Sequence, residues 1–250
     1  MINKAFLVLW VALCSHATCS AAIIAGWDRW DSASAPTASV LAPGVTGSAV
    51  TTTEGLAWNT NDERGASADG TWGSFAGPPA ADTTVGTNDD QNLELPNATT
   101  GGTITFTISN NGTTDLELNA FHFDSYAFRP KAARTYELSV LAGGGITDGV
   151  IYTSGDLEIP HVGGAFDNLA HADIDHSLTG LADHTLAVGE SVDFLLAFSG
   201  GVGDGSGGHD LWVDNVGVSV VTIPEPSTCF LALLGMASVS MLGRKPNRAG

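Results

Sequence analysis

Cysteine is scarce in this chain of 250 residues: Cys14, Cys19 and Cys229 all lie near its ends. The long middle therefore has neither a disulfide to staple it nor a thiol to act as nucleophile. Positive charge is scarce too, with nine Lys and Arg against 27 Asp and Glu and a formal net charge of -18. That balance excludes nucleic acid as a partner, because such affinity comes mainly from Lys and Arg displacing phosphate counterions. Residues 23–222 keep 26 acidic groups against five basic ones, and Lys131 is their one lysine. No stretch there sustains a helical period over three turns. Catalytic patterns are also missing: there is no H-E-x-x-H and no G-x-S-x-G, and Asp204-Gly205-Ser206-Gly207-Gly208 lacks the first glycine of the latter. The expectation is a protein that is not an enzyme.

What is present begins with the two ends. Lys4, the apolar stretch Ala5–Leu13 and the small and polar run Cys14–Ala22 follow the order of a secretory signal peptide, giving a targeting segment over 1–22. The apolar stretch is too short to span a bilayer. Leu13 before Cys14 and His16 three before Cys19 fit a lipid-attachment signal poorly. At the other end, Ile223-Pro224-Glu225-Pro226-Ser227 stops the preceding strand, since proline cannot donate to a ladder. An apolar run from Thr228 to Leu242 follows, then Gly243-Arg244-Lys245-Pro246-Asn247-Arg248. The run is short of the roughly 20 residues of a spanning helix. Basic residues behind it are held on the cytoplasmic side, which leaves everything before it exported.

This tail, residues 223–248, resembles the PEP-CTERM sorting signal of bacterial surface proteins. The resemblance is carried by Pro224, Glu225 and Pro226, the single hydrophobic helix and the cluster Arg244, Lys245 and Arg248. It implies recognition by an exosortase, a membrane-embedded peptidase, with transient membrane association through the helix and then display on the cell surface or in the extracellular matrix. Lys245 and Pro246 depart from the arginine run usual in such tails.

Between the ends, residues 23–222 read as one exported all-β domain. Ile104, Phe106 and Ile108 alternate with Thr103, Thr105, Thr107 and Ser109, which makes one apolar and one hydroxyl face. Asn110-Asn111-Gly112 then signals a turn that readily supplies positive φ. Leu116, Leu118, Phe121 and Phe123 continue with a change of phase at Asn119–Ala120, which predicts a bulge. Tyr136, Leu138 and Val140 form another alternating set, as do Val192, Phe194, Leu196 and Phe198. The last strand is Leu211–Val221, with Trp212, Val216, Val218 and Val220 expected on one face. Many short strands parted by Gly, Asn, Asp and Ser predict an antiparallel β-sandwich, jelly-roll-like. Leu211-Trp212-Val213-Asp214-Asn215-Val216 before the Pro-Glu-Pro also resembles the final strand of jelly-roll domains in PEP-CTERM proteins.

Several side chains are candidates for chemistry. Asp214 shares the phase of Trp212 and Val216 and is expected to face the core, where a carboxylate needs hydrogen bonds or a cation. Both readings stay open: a network to loop amides, or a calcium ligand. The loop Gly200–Asp210 offers Asp204 and Asp210 as further calcium ligands, though its spacing departs from G-G-x-G-x-D; a flexible connection is the other reading. Asp89-Asp90 and Asn61-Asp62-Glu63 supply oxygens of the type calcium prefers, without EF-hand spacing. His171, Asp173 and Asp175 alternate along one side of a strand, as a zinc site could use and as a solvated polar face also explains; His122 and Asp124 share the same spacing. Trp27, Trp30, Trp58, Trp72, Tyr126 and Tyr152 are either core rings or platforms for stacking sugars. The expectation is a non-catalytic surface or matrix protein; the alternative is a carbohydrate-binding module on extracellular polysaccharide, with or without a stabilising calcium, and behind it stands an extracellular polysaccharide-active enzyme.

Overall fold

Strong alternation in the sequence becomes two packed sheets. A computed structural model of the chain describes residues 20–28, 30, 37–53, 57–59, 67, 69–77, 92–95, 101–128, 132–156, 161–162, 171–201 and 211–222. The signal-like segment 1–19, the Pro-Glu-Pro tail with its hydrophobic run, the glycine loop bearing Asp204 and Asp210, and the acidic groups at 61–63 and 89–90 lie outside the described residues. The described strands are β1 (Ser20–Trp27), β2 (Val40–Leu41), β3 (Val45–Gly47), β4 (Thr51–Thr53), β5 (Ala57–Asn59), β6 (Asn92–Leu95), β7 (Gly102–Asn110), β8 (Leu116–Phe128), β9 (Thr135–Val140), β10 (Gly149–Thr153), β11 (His161–Val162), β12 (Ala172–Ser177), β13 (Thr185–Leu186), β14 (Ser191–Ser199) and β15 (Leu211–Thr222). Among the described residues no helix is long and apolar enough to cross a membrane.

One sheet runs β10-β9-β14-β7-β3 with β4 also on β7; the other runs β11-β8-β15-β1-β2, with β12 and β13 on β8, β6 on β15 and β5 on β6. The pairings of β2 with β1, of β12, β13 and β15 with β8, of β6 with β15, of β5 with β6 and all those of the six-stranded sheet are antiparallel, and the two-residue pairing of β11 with β8 is parallel. On β7 burial alternates residue by residue, with Ile104, Phe106 and Ile108 inward and the threonines half-buried. Opposite them β14 contributes Val192, Phe194, Leu196 and Phe198, paired in register as Phe194↔Phe106 and Leu196↔Ile104.

Rings bridge the two sheets. Phe106 of the six-stranded sheet lies 5.8 Å from Phe121 of the nine-stranded sheet, and Phe123 meets Tyr136 edge-on at 5.1 Å. Trp27 tilts onto Phe106 at 4.3 Å and donates its indole N–H to the Ser48 carbonyl at 3.1 Å. Each such ring contributes roughly 1.5–3 kcal/mol by burial, and without a disulfide this core holds residues 21–221 together as one unit.

The turn after β7 works differently from the expectation. Asn110 caps it with its side chain, accepting from Gly112 N at 3.0 Å and donating to the carbonyls of Thr114 and Leu186 at 2.9 Å each, an Asx turn rather than a hairpin of positive φ. The chain thereby leaves one sheet for the other. At Asn119 the ladder to β15 slips by one residue, the bulge that the phase change predicts, and it lets Leu118, Phe121 and Phe123 all face the core.

A second slip lies on β15 between Asp214 and Gly217, where Asn215 adopts φ 46°. It corrects the expected facing of this strand. Leu211 and Val213 before the bulge, and Val216, Val218 and Val220 after it, face the sandwich core. Trp212 and Asp214 lie on the other face with Gly217 and Ser219, because the extra residue inverts the side-chain phase.

That outer face of the nine-stranded sheet is itself covered. Trp72 is fully buried in a small cluster with Ile23, Val40 and Phe75, and its ring lies over Gly26 and Gly217. Trp72 and Phe75 exchange two backbone hydrogen bonds of 3.0 Å around Gly73, whose φ of 53° suits glycine.

Candidate functional site

Beneath that cover, strand register collects most of the buried charge. Asp173 of β12 lies directly opposite Asp124 of β8, and Asp124 directly opposite Asp214 of β15. Three carboxylates thus form one row across adjacent strands, an arrangement that is destabilising unless protons, donors or a cation compensate it. The next row holds Asp175, His122 and Gly217.

Asp214 is met by donors from three segments. Its Oδ1 accepts from Trp30 Nε1 at 2.7 Å and from Asn215 N at 2.8 Å, and its Oδ2 from Ser67 N at 2.8 Å. Burial pushes its pKa well above the usual carboxylate range, and the neighbouring Asp124 charge adds to the rise against those donors. Asp124 is likewise raised, to about 7; burial dominates, opposed by Ser67, His171 and Asn215 and reinforced by Asp69. Asn215 Nδ2 donates to Asp124 Oδ2 at 2.9 Å, while Asp124 Oδ1 and Asn215 Oδ1 are buried and take no hydrogen bond. The Ser67 hydroxyl, whose hydrogen bonding also acts on Asp124, lies 3.1 Å from His171 Nε2 and 3.4 Å from Asp69 Oδ1.

At the rim of this network stands a group that sequence spacing missed. His171 Nε2 lies 3.3 Å from Asp69 Oδ2, 3.1 Å from Asp173 Oδ1 and 3.1 Å from Ser67 Oγ. The His171 ring is almost fully buried, while Asp69 and Asp173 are 33% and 41% exposed. Thr71 fixes Asp69 through its N–H at 2.8 Å and its hydroxyl at 2.7 Å. Burial acts upward on Asp69, but Thr71 and His171 together bring its carboxyl below the ordinary range. Burial raises Asp173, with His171 opposing and Asp69 and Asp175 adding to the rise.

Asp175, expected beside His171 and Asp173, belongs elsewhere. Its Oδ1 lies 2.5 Å from His122 Nδ1 and its Oδ2 accepts from the Ser74 hydroxyl and N–H. These bonds, against the upward pull of burial, hold its carboxyl below the ordinary range. His122 Nε2 in turn lies 2.8 Å from Ser219 Oγ, which completes a Ser-His-Asp chain. Its geometry is that of an acyl-transfer triad. Yet Ser219 is fully buried and Phe75 stacks on His122 at 5.2 Å, so the chain pins the cover to the sheet and offers a substrate no approach.

The other candidates are placed as follows. Trp27, Trp30 and Trp72 are fully buried, which corrects their reading as stacking platforms: a ring inside the fold presents no face to a sugar. Trp58 is in β5, whose side chains lie outside those described. Tyr126 is buried and stacks on Trp212 at 5.2 Å and 7°. Tyr152 is half-buried against His176 at 4.0 Å. Asp69 and Ser67 carry no sequence signal, since they precede β12 by some hundred positions. Asn215 had one: the apolar spacing Leu211, Val213, Val216, Val218 already contains a three-residue step.

No family model matches the chain, and no curated protein matches it. Among solved structures, the CBM22-1 xylan-binding domain from Paenibacillus barcinonensis Xyn10C is similar at 8% identity and a TM-score of 0.41, over 83% of this chain and 100% of that one. The carbohydrate-binding module TmCBM27, described for specific mannan recognition, is similar at 10% identity and TM-score 0.34, over 81% and 99%. CBM29_1, a family 29 carbohydrate-binding module from Piromyces equi, stands at 9% and 0.32, over 81% and 89%. At these TM-scores none of the likenesses carries an argument about what this chain binds.

Proposed function

We propose that the chain is an exported, non-catalytic surface or extracellular-matrix protein, sorted by an exosortase through Pro224-Glu225-Pro226 and the segment behind it. The observation that carries this reading is the extent of the folded unit, Ala21–Val221. It supports a delivered domain flanked by two segments whose sequences have the order of export and sorting signals. Replacing Pro224, Glu225 and Pro226 by alanine is expected to keep the protein in the membrane fraction. Unchanged release with an unchanged C-terminus would defeat the reading.

A carbohydrate-binding role is the second reading, favoured by the outer face of the six-stranded sheet. There Thr103, Thr105 and Thr107 of β7, Asp193 of β14 and Glu137 of β9 are half-buried side by side. Thr107 Oγ1 donates to Asp193 Oδ1 at 2.6 Å, so hydroxyls and carboxylates are already aligned. Such an array exchanges hydrogen bonds with sugar hydroxyls. Glycan-array binding by the full chain that Asp193→Ala and Glu137→Ala weaken supports this role; no binding, with or without a chelator, removes it.

A further inference from the structure

Nitrogen and oxygen donors converge at one point on the rim of the nine-stranded sheet. His171 Nε2 can make one hydrogen bond at a time, yet three oxygens stand 3.1–3.3 Å from it. Ligand atoms of Asp69, His171 and Asp173 all fall within 4.8 Å of one another. With metal–ligand bonds of about 2.0–2.2 Å, two donors at tetrahedral or octahedral angles stand about 3.0–3.4 Å apart. The separations of His171 Nε2 from the two carboxylate oxygens lie inside that range.

A second observation points the same way. Directly opposite Asp173 across the ladder, Asp124 is 1% exposed and its Oδ1 takes no hydrogen bond; Asn215 Oδ1 beside it is equally buried and equally without a donor. The counter-charge that acts on Asp124 comes from His171. Among the described residues Arg134 is the one Lys or Arg, and it is spent on Asp156 at 2.8 Å.

We propose that Asp69, His171 Nε2 and Asp173 bind one divalent transition-metal ion of the zinc class, which clamps the covering segment around Trp72 to β12. Imidazole nitrogen beside carboxylate oxygen selects such an ion over calcium or magnesium, which take oxygen ligands. Three protein ligands leave the remaining positions to water on the side where Asp69 and Asp173 are exposed. This site differs from the His171, Asp173 and Asp175 set that strand spacing points to, since Asp175 is engaged by His122 and Ser74. It does not rest on the surface-protein reading.

The test uses the full chain in mild detergent, stripped with a chelator and titrated with ZnCl2 by calorimetry, with CaCl2 and MgCl2 in parallel. One Zn2+ per chain is expected, undisplaced by millimolar Ca2+, with a rise in Tm on binding. His171→Gln, Asp69→Asn and Asp173→Asn are each expected to weaken that binding at least tenfold. Because Asp69 and Asp173 lie at the surface, their variants keep the test alive if His171→Gln fails to fold. Asp156→Asn, a surface carboxylate elsewhere, is expected to leave the affinity unchanged. Co2+ substitution is expected to give visible d–d bands that His171→Gln removes. Failure of the wild type to bind Zn2+ below millimolar concentrations overturns the proposal, as does binding that all three ligand variants retain.

Discussion

Substituting Gly26 by alanine tests the cover on the nine-stranded sheet most sharply. The φ of Gly26 is not in the left-handed region, so alanine meets no backbone strain there, and the whole effect is one of space. A Cβ at this position would stand 2.4 Å from Trp72 Cη2 and 2.5 Å from Cζ3. Carbon atoms in good contact are about 3.5–4.0 Å apart, so the indole must withdraw by about 1 Å. The adjoining Cε3 of the same ring lies close over Gly217, 2.9 Å from where a Cβ there would be, and Trp72 is fully buried. Overpacking a full core costs about 1–3 kcal/mol, and losing a buried tryptophan outright about 3–5 kcal/mol. Gly26→Ala is therefore expected to cost about 2–4 kcal/mol, a fall in Tm of roughly 5–15 °C for a domain of this size. Urea denaturation followed by far-UV circular dichroism measures it. In a Trp72→Leu background the same substitution should cost at least about 1 kcal/mol less, the sign of direct contact in a double-mutant cycle. A cost below about 0.5 kcal/mol, or strict additivity with Trp72→Leu, would refute the packing described.

Asp214→Ala removes the acceptor shared by Trp30, Ser67 and Asn215 and is expected to cost about 3–5 kcal/mol in the same assay. Asp214→Asn, which resembles the protonated acid, should cost no more than about half as much; an equal loss would show that shape rather than hydrogen bonding matters there. Asp124 gives a pH dependence. Its folded-state pKa of about 7 lies above the unfolded value, so the folded state holds the extra proton between those limits. The stability this contributes is complete below the unfolded pKa of about 3.9 and is lost as pH rises to about 7, by at most roughly 4 kcal/mol. Urea melts from pH 4 to 8 in the presence of a chelator should show that decline, and Asp124→Asn should flatten it; an unaltered slope in the variant would assign the effect to other groups.

How much of this was legible in the sequence follows from where each signal resides. The β7 and β14 strands were legible because a half-buried strand writes its facing into every second residue, as Ile104, Phe106 and Ile108 do. The bulge at Asn119 was legible for the same reason: the apolar spacing breaks there. On β15 the break was present, but Trp212 masked it, being as apolar as the core residues while facing the other way against Tyr126. Asp214 could be recognised as buried from its strand, but not its donors, because Trp30 and Ser67 reach it across 184 and 147 positions. The triplet of Asp69, His171 and Asp173 was half visible, since its strand partners alternate and its loop partner has no pattern. For Trp27, Trp30 and Trp72 the choice between core ring and stacking platform was not legible, because a buried indole, such as Trp72 over Gly26 and Gly217, has the same sequence appearance as one offered to a ligand.

The covering segment that carries Trp72 makes the molecule two-sided. Every residue of β8 from Phe121 to Ala127 is buried, as an interior strand of a three-layer protein would be, although the sandwich itself has two sheets. The chain has spent one of its two broad outer faces on its own interior. A partner of this domain is left the six-stranded side and the rims, so contact there can be weakened by surface substitutions that leave the charged interior untouched.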